Sequence, residues 1–470
     1  MKNNNDTKLH DEIASLRSAS NKLEAAIIAG TRSTSDKVVA SIPGQEVIKG
    51  VKKAEDYWHT LGPGLTTGAS DDDPSGIATY SQAGAHYGFQ LLWLAAFTFP
   101  LMAVVQEMCA RIGMVTGRGL AGTIKQVYSK KVLIPATLLL FAANAFNIGA
   151  DLGAMAKGAQ LLNSDLNFYV LVVAFAGVSL ALQIFTPYAR YARYLKWLAL
   201  VLLAYVASAI LAHLSWSDIL KSSVVPKILW DKDQLLLICA VLGTTISPYL
   251  FFWQTSQETE QEIALGKTTL ASRMGTNKKD VHEMRVDVWS GMFLSNIVMF
   301  FIIAACGGVL FKNGITDITS AAQAAEALRP FAGNATFFLF AIGIIGTGLL
   351  AVPVLAGSSS YALAESFNWK EGLSLKFRQA HAFYGIIVLS MLVGLGINFI
   401  GLDPFKALIY SAVFNGLVAP VILVPIVLIS SNRKIMGEWT NRPWVTAVGA
   451  FTVLLMTIAG VATIFSLFVA

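Results

Sequence analysis

About eleven windows of roughly twenty mostly apolar residues run through this chain and leave it few structures to choose from. They fall near residues 61–85, 91–115, 132–155, 168–185, 197–214, 235–252, 288–310, 336–364, 382–398, 405–430 and 444–470. At that length each window fits a helix that crosses a bilayer and closes its backbone hydrogen bonds within itself. The expected class is an all-α polytopic membrane protein. Only 14% of the residues are charged, and they cluster between the windows.

The net charge of +6 is not a nucleic-acid signal, because the basic residues sort by side. One set of alternate loops carries Arg118, Lys125, Lys130 and Lys131, then Arg190, Arg193 and Lys196, then Lys267, Arg273, Lys278 and Lys279, then Lys370, Lys376 and Arg378, and last Arg433, Lys434 and Arg442. The other set has only Lys157, Lys221, Lys227, Lys232, Lys312 and Arg329. The positive-inside rule puts the first set in the cytoplasm of a multi-pass cell-membrane protein, with the N-terminus inside and the C-terminus outside. Residues 1–57 are polar and show no signal-peptide core, though Leu16, Leu23, Ala26 and Ile27 have helical spacing. Cys109, Cys239 and Cys306 sit in apolar windows and read as packing residues.

Two windows are interrupted. The first contains Asp71-Asp72-Asp73-Pro74-Ser75-Gly76, three carboxylates followed by helix breakers. The sixth contains Gly243-Thr244-Thr245-Ile246-Ser247-Pro248-Tyr249. Charge at membrane depth is costly and marks a functional site by default. Irregular backbone there is tolerated only inside protein or along a cavity. The breaks lie five windows apart, so their helices run in opposite directions, the pattern of an inverted-repeat transporter with its site between discontinuous helices. Gly343, Gly346, Gly348 and Gly357 in the eighth window suit close helix packing.

The motifs go further. Gly62-Pro63-Gly64 is followed after eight residues by Asp73-Pro74-Ser75-Gly76, then Ile77-Ala78-Thr79 and Gln82-Ala83-Gly84-Ala85. Tyr87-Gly88, Leu91-Leu92-Trp93, Gln106 and Gly113-Met114-Val115-Thr116-Gly117 continue the pattern, and Pro420 and Pro425 keep a five-residue spacing. Over about residues 62–429 the chain resembles the Nramp family of divalent-metal transporters. The resemblance implies a LeuT-type inverted repeat of five plus five helices with one extra helix, helices 1 and 6 being broken. Residues 58–214 would then form repeat 1, residues 215–430 repeat 2, and residues 431–470 a cytoplasmic loop and the eleventh helix. It also implies a set of metal ligands, and there the chain departs. The family's first-helix aspartate falls on Asp73, its asparagine on Gly76 and its soft methionine on Ser247. Its ligating carbonyl falls on Thr244, a tenth-helix glutamine on Ala412, two sixth-helix histidines on Tyr249 and Gln254, and a third-helix carboxylate associated with proton transfer on Ala154.

Loss of the thioether moves the preference toward hard, oxygen-loving cations. Mg²⁺ keeps several of its waters, and the small residues Ser75, Gly76 and Ser247 leave room for them. The chain thus resembles the Nramp-related magnesium transporters, and Mn²⁺ shares the oxygen ligands. Candidate metal residues are Asp73, Asp72, Asp71, Thr244, Ser247 and Gly76. Asp71 and Asp72 either touch the ion or its waters, or bond the freed amides of the break. Ser75, Tyr249, Asn144, Asn147, Asp151, Asn296 and Asn415 are candidate pathway-lining residues. For Tyr249 the alternative is a packed ring; for the asparagines and Asp151 it is bonding between helices. Glu107 and Arg111 are spaced to pair, and Arg285 and Asp287 read as cytoplasmic gate or anchor residues. His86, His282 and His381 lie at helix ends and read as interface residues, which argues against a proton relay.

The expected function is a secondary transporter moving hydrated Mg²⁺, and Mn²⁺, into the cytoplasm by alternating access without proton coupling. Alternatives are a proton-coupled Mn²⁺/Fe²⁺ transporter, a carrier of a non-metal solute, and a transport-dead sensor. No nucleophile–base constellation or nucleotide loop points to an enzyme. No cofactor is expected. The partners are the transported divalent ion and the lipid bilayer, with no nucleic acid, and the sequence leaves the oligomeric state, a monomer included, open.

Overall fold

The computed structural model describes residues 62–186, 200–212 and 214–468. The expected amphipathic stretch at Leu16, Leu23, Ala26 and Ile27 lies outside the described residues, as do Arg190, Arg193 and Lys196. Every regular element among the described residues is helical. The first window forms α1 (Pro63–Asp71) and α2 (Pro74–Tyr87), broken where the sequence breaks. Then come α3 (Trp93–Thr116), a connecting α4 (Leu120–Val127), α5 (Lys130–Leu162), α6 (Phe168–Phe185), α7 (Leu203–Leu211) and a short α8 (Trp216–Val224). The sixth window forms α9 (Lys232–Thr245) and α10 (Pro248–Ala264). The rest are α11 (Lys278–Val309), α12 (Thr336–Phe367), α13 (His381–Ile397), α14 (Pro404–Ser430) and α15 (Pro443–Phe468).

Each expected window coincides with one of these helices or pairs, the fifth being described only from Leu200. Among the described residues, eight stretches are long and apolar enough to cross a membrane, and His381–Ile397 is a shorter apolar helix. Side chains such as Val170, Phe293, Leu392 and Phe465 stay exposed on the outside, the surface that lipid covers in a multi-pass membrane protein. Some helices outrun their windows. α11 starts at Lys278 because Asn277 caps it, accepting from the N–H groups of Lys279 and Asp280, so the helix continues into polar residues.

Two groups of helices position the breaks. In one, α1 and α2 pack along α11, which also packs on α3, and α3 packs on α10. In the other, α5, α6, α12 and α13 pack on one another. α14 bridges the groups by touching α9, α5 and α2, and α15 covers α14 and α9. The expected glycine contacts in the eighth window are present at Gly348, which abuts Met155, and Gly357, which abuts the Trp253 ring.

Another tight backbone approach joins α1 to α11. A Cβ on Gly64 would fall 2.6 Å from the Val288 backbone, and one on Gly68 would fall 2.3 Å from the Gly291 carbonyl oxygen. Gly291 in turn faces the Gly64 carbonyl. This small-residue spacing brings α1 and α11 into backbone contact. Asp287 completes the joint. Its carboxylate accepts from the N–H groups of Gly62 (2.8 Å), Gly64 (2.6 Å) and Leu65 (3.0 Å), three donors that α1 itself leaves unpaired. The expected pair of Glu107 and Arg111 is present at 3.5 Å. Glu107 also accepts from Arg285 (2.8 Å) and the Trp289 indole (2.9 Å), tying α3 to α11.

Gly68→Ala should destabilise the protein by about 1–3 kcal/mol, since the methyl meets backbone that cannot step aside. Gly177→Ala, on a helix with open space around it, should leave stability unchanged or raise it by up to about 1 kcal/mol. Thermal unfolding of both variants in detergent checks the contrast.

Candidate functional site

Proline shapes both breaks in the same way. Having no N–H, it cannot bond the carbonyl four residues before it. Pro74 therefore frees the Ser70 carbonyl, and Pro248 frees the Thr244 carbonyl. Each is met by a hydroxyl. Tyr249 Oη donates to Ser70 O at 2.9 Å, and Ser247 Oγ donates to Thr244 O at 2.6 Å and lies 2.9 Å from Gly243 O. The first of these contacts crosses from one break to the other.

Asp73 starts α2 as its N-cap. Its Oδ1 accepts from the Gly76 N–H (2.7 Å) and Ser75 Oγ (2.6 Å), and its Oδ2 accepts from Asn147 Nδ2 on α5 (2.8 Å). Ser411 on α14 donates to the other end of the Asn147 amide at 2.7 Å. Ser295 Oγ on α11 sits 2.6 Å from Asp71 Oδ2 and 3.3 Å from Asp72 Oδ1, while Asp71 Oδ1 has no partner. The three carboxylates are 0%, 4% and 1% exposed, so none opens to either side. None takes part in an ion pair among the described residues.

Gly76 matters for its lack of a side chain. A Cβ there would lie 3.2 Å from Thr244 Oγ1, 3.3 Å from the Tyr80 ring and 3.4 Å from the Asp71 carbonyl, so the two breaks close on a space too tight for a methyl unless a neighbour gives way. Tyr80 Oη reaches Thr245 Oγ1 at 3.2 Å, linking α2 to α9. Thr245 Oγ1 also lies 3.7 Å from the sulfur of Met299.

The pathway candidates divide. Ser75, Tyr249 and Asn147 are part of the cluster just described. Asp151 is fully buried near Asp73, with the Ser75 N–H as its nearest donor. Asn144 turns away and donates to Leu355 O and Ser359 Oγ on α12, both at 3.0 Å. Asn296 faces α3, with Thr98 Oγ1 at 3.4 Å and Met102 Sδ at 3.2 Å. Asn415 is fully buried on α14 with neither end of its amide paired. Ser295 and Ser411 were not singled out from the sequence, and Asp287 was read there as a cytoplasmic gate or anchor residue. A lone serine in an apolar helix carries no local signal, and Asp287 carried only a general one as an anchor.

Two cavities flank the cluster. On the basic face a cavity of about 690 Å³ is lined by Arg118, Arg273, Glu260, Glu365, Glu371 and Ser256 among others. Burial pushes the Glu371 carboxyl up to about 10, with the charges of Glu365 and Glu260 adding to the effect. Between this cavity and the breaks, Thr67 Oγ1 donates to Gln254 Oε1 at 2.6 Å and Gln254 donates to Glu258 at 2.8 Å, joining α1 to α10. On the opposite face a cavity of about 140 Å³ reaches Ala78 on α2 and Ala154 on α5.

Residues 64–466 match the family profile described as Nramp, natural resistance-associated macrophage protein-like. The chain belongs to the Nramp family. It is 28% identical over 397 residues to the divalent metal cation transporter MntH of Klebsiella pneumoniae, spanning 83% of this chain and 89% of that one. It is 27% identical over 425 residues to MntH of Pectobacterium carotovorum, spanning 88% and 96%. Among solved structures it is similar to the manganese transporter of Eremococcus coleocola in complex with an aromatic bis-isothiourea compound, with a TM-score of 0.66 at 19% identity over 86% of each chain. It is also similar to Mhp1, a nucleobase-cation-symport-1 family transporter, in a closed conformation, with a TM-score of 0.51 at 15% identity over 86% of this chain and 91% of that one. The Nramp chain thus has the LeuT-type fold expected of it.

Tyr249→Phe removes one oxygen and leaves the Ser70 carbonyl buried without a donor. It should cost about 1–3 kcal/mol of stability. Chemical or thermal unfolding beside wild type would show this, and equal stability would mean that Tyr249 is only a packed ring.

Proposed function

We propose that this protein carries divalent cations across the membrane by alternating access, taking Mg²⁺ first and Mn²⁺ second, without moving protons. The observation that carries the reading is the buried run Asp71–Asp73, facing the Thr244 break with no cationic side chain among the described residues paired to it. Negative charge at membrane depth needs a counter-charge, and a transported cation supplies one. The relatives named as divalent metal cation transporters support the cation class.

The side chains offered here are oxygen donors, the three aspartates, Thr244 Oγ1 and Ser247 Oγ, with the Asp71 carbonyl near Gly76 as well. Such a set suits hard cations that retain water. Asp73 already accepts three hydrogen bonds, which favours contact with the ion through its waters. Coupling to protons is disfavoured by Tyr249, Gln254 and Ala154, none of which titrates near neutral pH. An inside-negative potential supplies about 4.6 kcal/mol per 100 mV to a divalent ion, enough to drive uptake. The basic face is the cytoplasmic one in this reading.

A second reading is favoured by one observation. Met299 brings a thioether to Thr245, and a soft ligand near the site would suit a transition metal.

The test is cation influx into proteoliposomes under an inside-negative potential, with an internal pH dye. Mg²⁺ should enter, Mn²⁺ should compete, Asp73→Ala should cut influx by about tenfold or more, and the interior should not acidify. Mn²⁺ entry with acidification and no Mg²⁺ entry would replace this reading with the second.

A further inference from the structure

We propose that Gln82 and His86 are positioning residues that make the segment 316–318 move as one body with α2, so that the helix capped by Asp73 carries the rim of the outer cavity. The inference rests on the alternating-access reading but not on which ion is carried.

α2 begins at the ion-site candidates and ends at the face opposite the basic one. Fourteen residues of helix make a rod about 21 Å long. Asp73 caps its first turn, and Gln82 and His86 occupy its last two. Gln82 grips the segment 316–318 with both ends of its amide. Oε1 accepts from the Ile318 N–H at 2.9 Å, and Nε2 donates to the Thr316 carbonyl at 3.3 Å, with Asp317 Oδ1 at 3.5 Å. His86 Nδ1 adds a contact of 3.2 Å to the same Asp317 oxygen. A side chain that pairs with a backbone N–H and a backbone carbonyl two residues apart holds that strip in one register, much as a neighbouring strand would.

The strip continues into the cavity wall. Thr319, Ser320 and Ala321 line the 140 Å³ cavity together with Ala78, which lies one helical turn from Gln82 and on the same face of α2. The opposing wall includes Ala154 on α5 and Phe405 on α14. Ala154 lies one turn from Asp151. One wall of the cavity is thus α2 with its attached strip, and the other belongs to α5, α12 and α14. A shift of α2 at Asp73 moves Ala78 in any case, but it moves Thr319, Ser320 and Ala321 only if the strip travels with the helix, and Gln82 is the group that joins them.

Two measurements test this. The first is the rate at which a membrane-impermeant maleimide labels an Ala154→Cys variant in proteoliposomes, against the background of Cys109, Cys239 and Cys306, all buried. Adding Gln82→Met, which keeps the bulk but not the hydrogen bonds, should speed labelling by about 3- to 10-fold, as expected for losing one or two hydrogen bonds from the closed arrangement. His86→Phe should act in the same direction and more weakly. An unchanged rate in Gln82→Met overturns the proposal. The second measurement joins Gln82→Cys to Ile318→Cys by oxidation. If helix and strip move together, the bond leaves cation influx at its reduced-state level, whereas bridging Thr319→Cys to Phe405→Cys across the cavity stops it. Influx lost on forming the first bond and regained on reduction would mean that the strip parts from α2 during the cycle, which also overturns the proposal. If the parent protein moves no ion at all, the transport reading fails, and the labelling rates still decide whether Gln82 holds the rim.

Discussion

The structure depends on how two prolines at membrane depth are paid for. Pro74 and Pro248 each leave a carbonyl without its helical donor, in a setting where no lipid can supply one. Tyr249 and Ser247 fill those needs, and Tyr249 does so from the opposite break. The bond between breaks holds the two discontinuous helices face to face, and the space between them follows from that. Gly76 lets the breaks approach this closely, because a side chain there would crowd Thr244, the Tyr80 ring and the Asp71 carbonyl. The carboxylates sit at the edge of this contact because an N-cap needs an acceptor at residue 73.

Anchorage sets what can move. α1 is short, meets α11 through glycines, and has its N-terminal donors held by Asp287. α2 belongs to the other side of the break, fixed by Asp73 at one end and by Gln82 and His86 at the other. Both halves of the first span pack along α11, and they differ in the polar partner at their far ends, Asp287 for α1 and the segment 316–318 for α2, with the unwound Asp72 and Asp73 between them.

Much of this was legible in the chain. The helix count, the positions of both breaks and the family followed from apolar windows and from the motif Asp73-Pro74-Ser75-Gly76. Asn147 was legible as a polar residue in an apolar helix, but so were Asn144 and Asn296, and only Asn147 reaches Asp73. Asn144 and Asn296 bind neighbouring helices instead. The same residue type serves both purposes, and which face of a long helix meets the site depends on its rotation. Ser295 was invisible because one hydroxyl in an apolar run has no meaning until its neighbour across the interface is known.

The sequence by itself determined the bilayer as solvent, the helical fold and the places where helices must break, because these follow from local hydropathy and from the missing N–H of proline. Tertiary structure decided which hydroxyl answers which freed carbonyl, which asparagine meets Asp73, and that Asp287 caps a helix more than two hundred residues away. Those outcomes depend on the rotation and spacing of packed helices. Backbone contacts through Gly64, Gly68 and Gly291 set that spacing between α1 and α11.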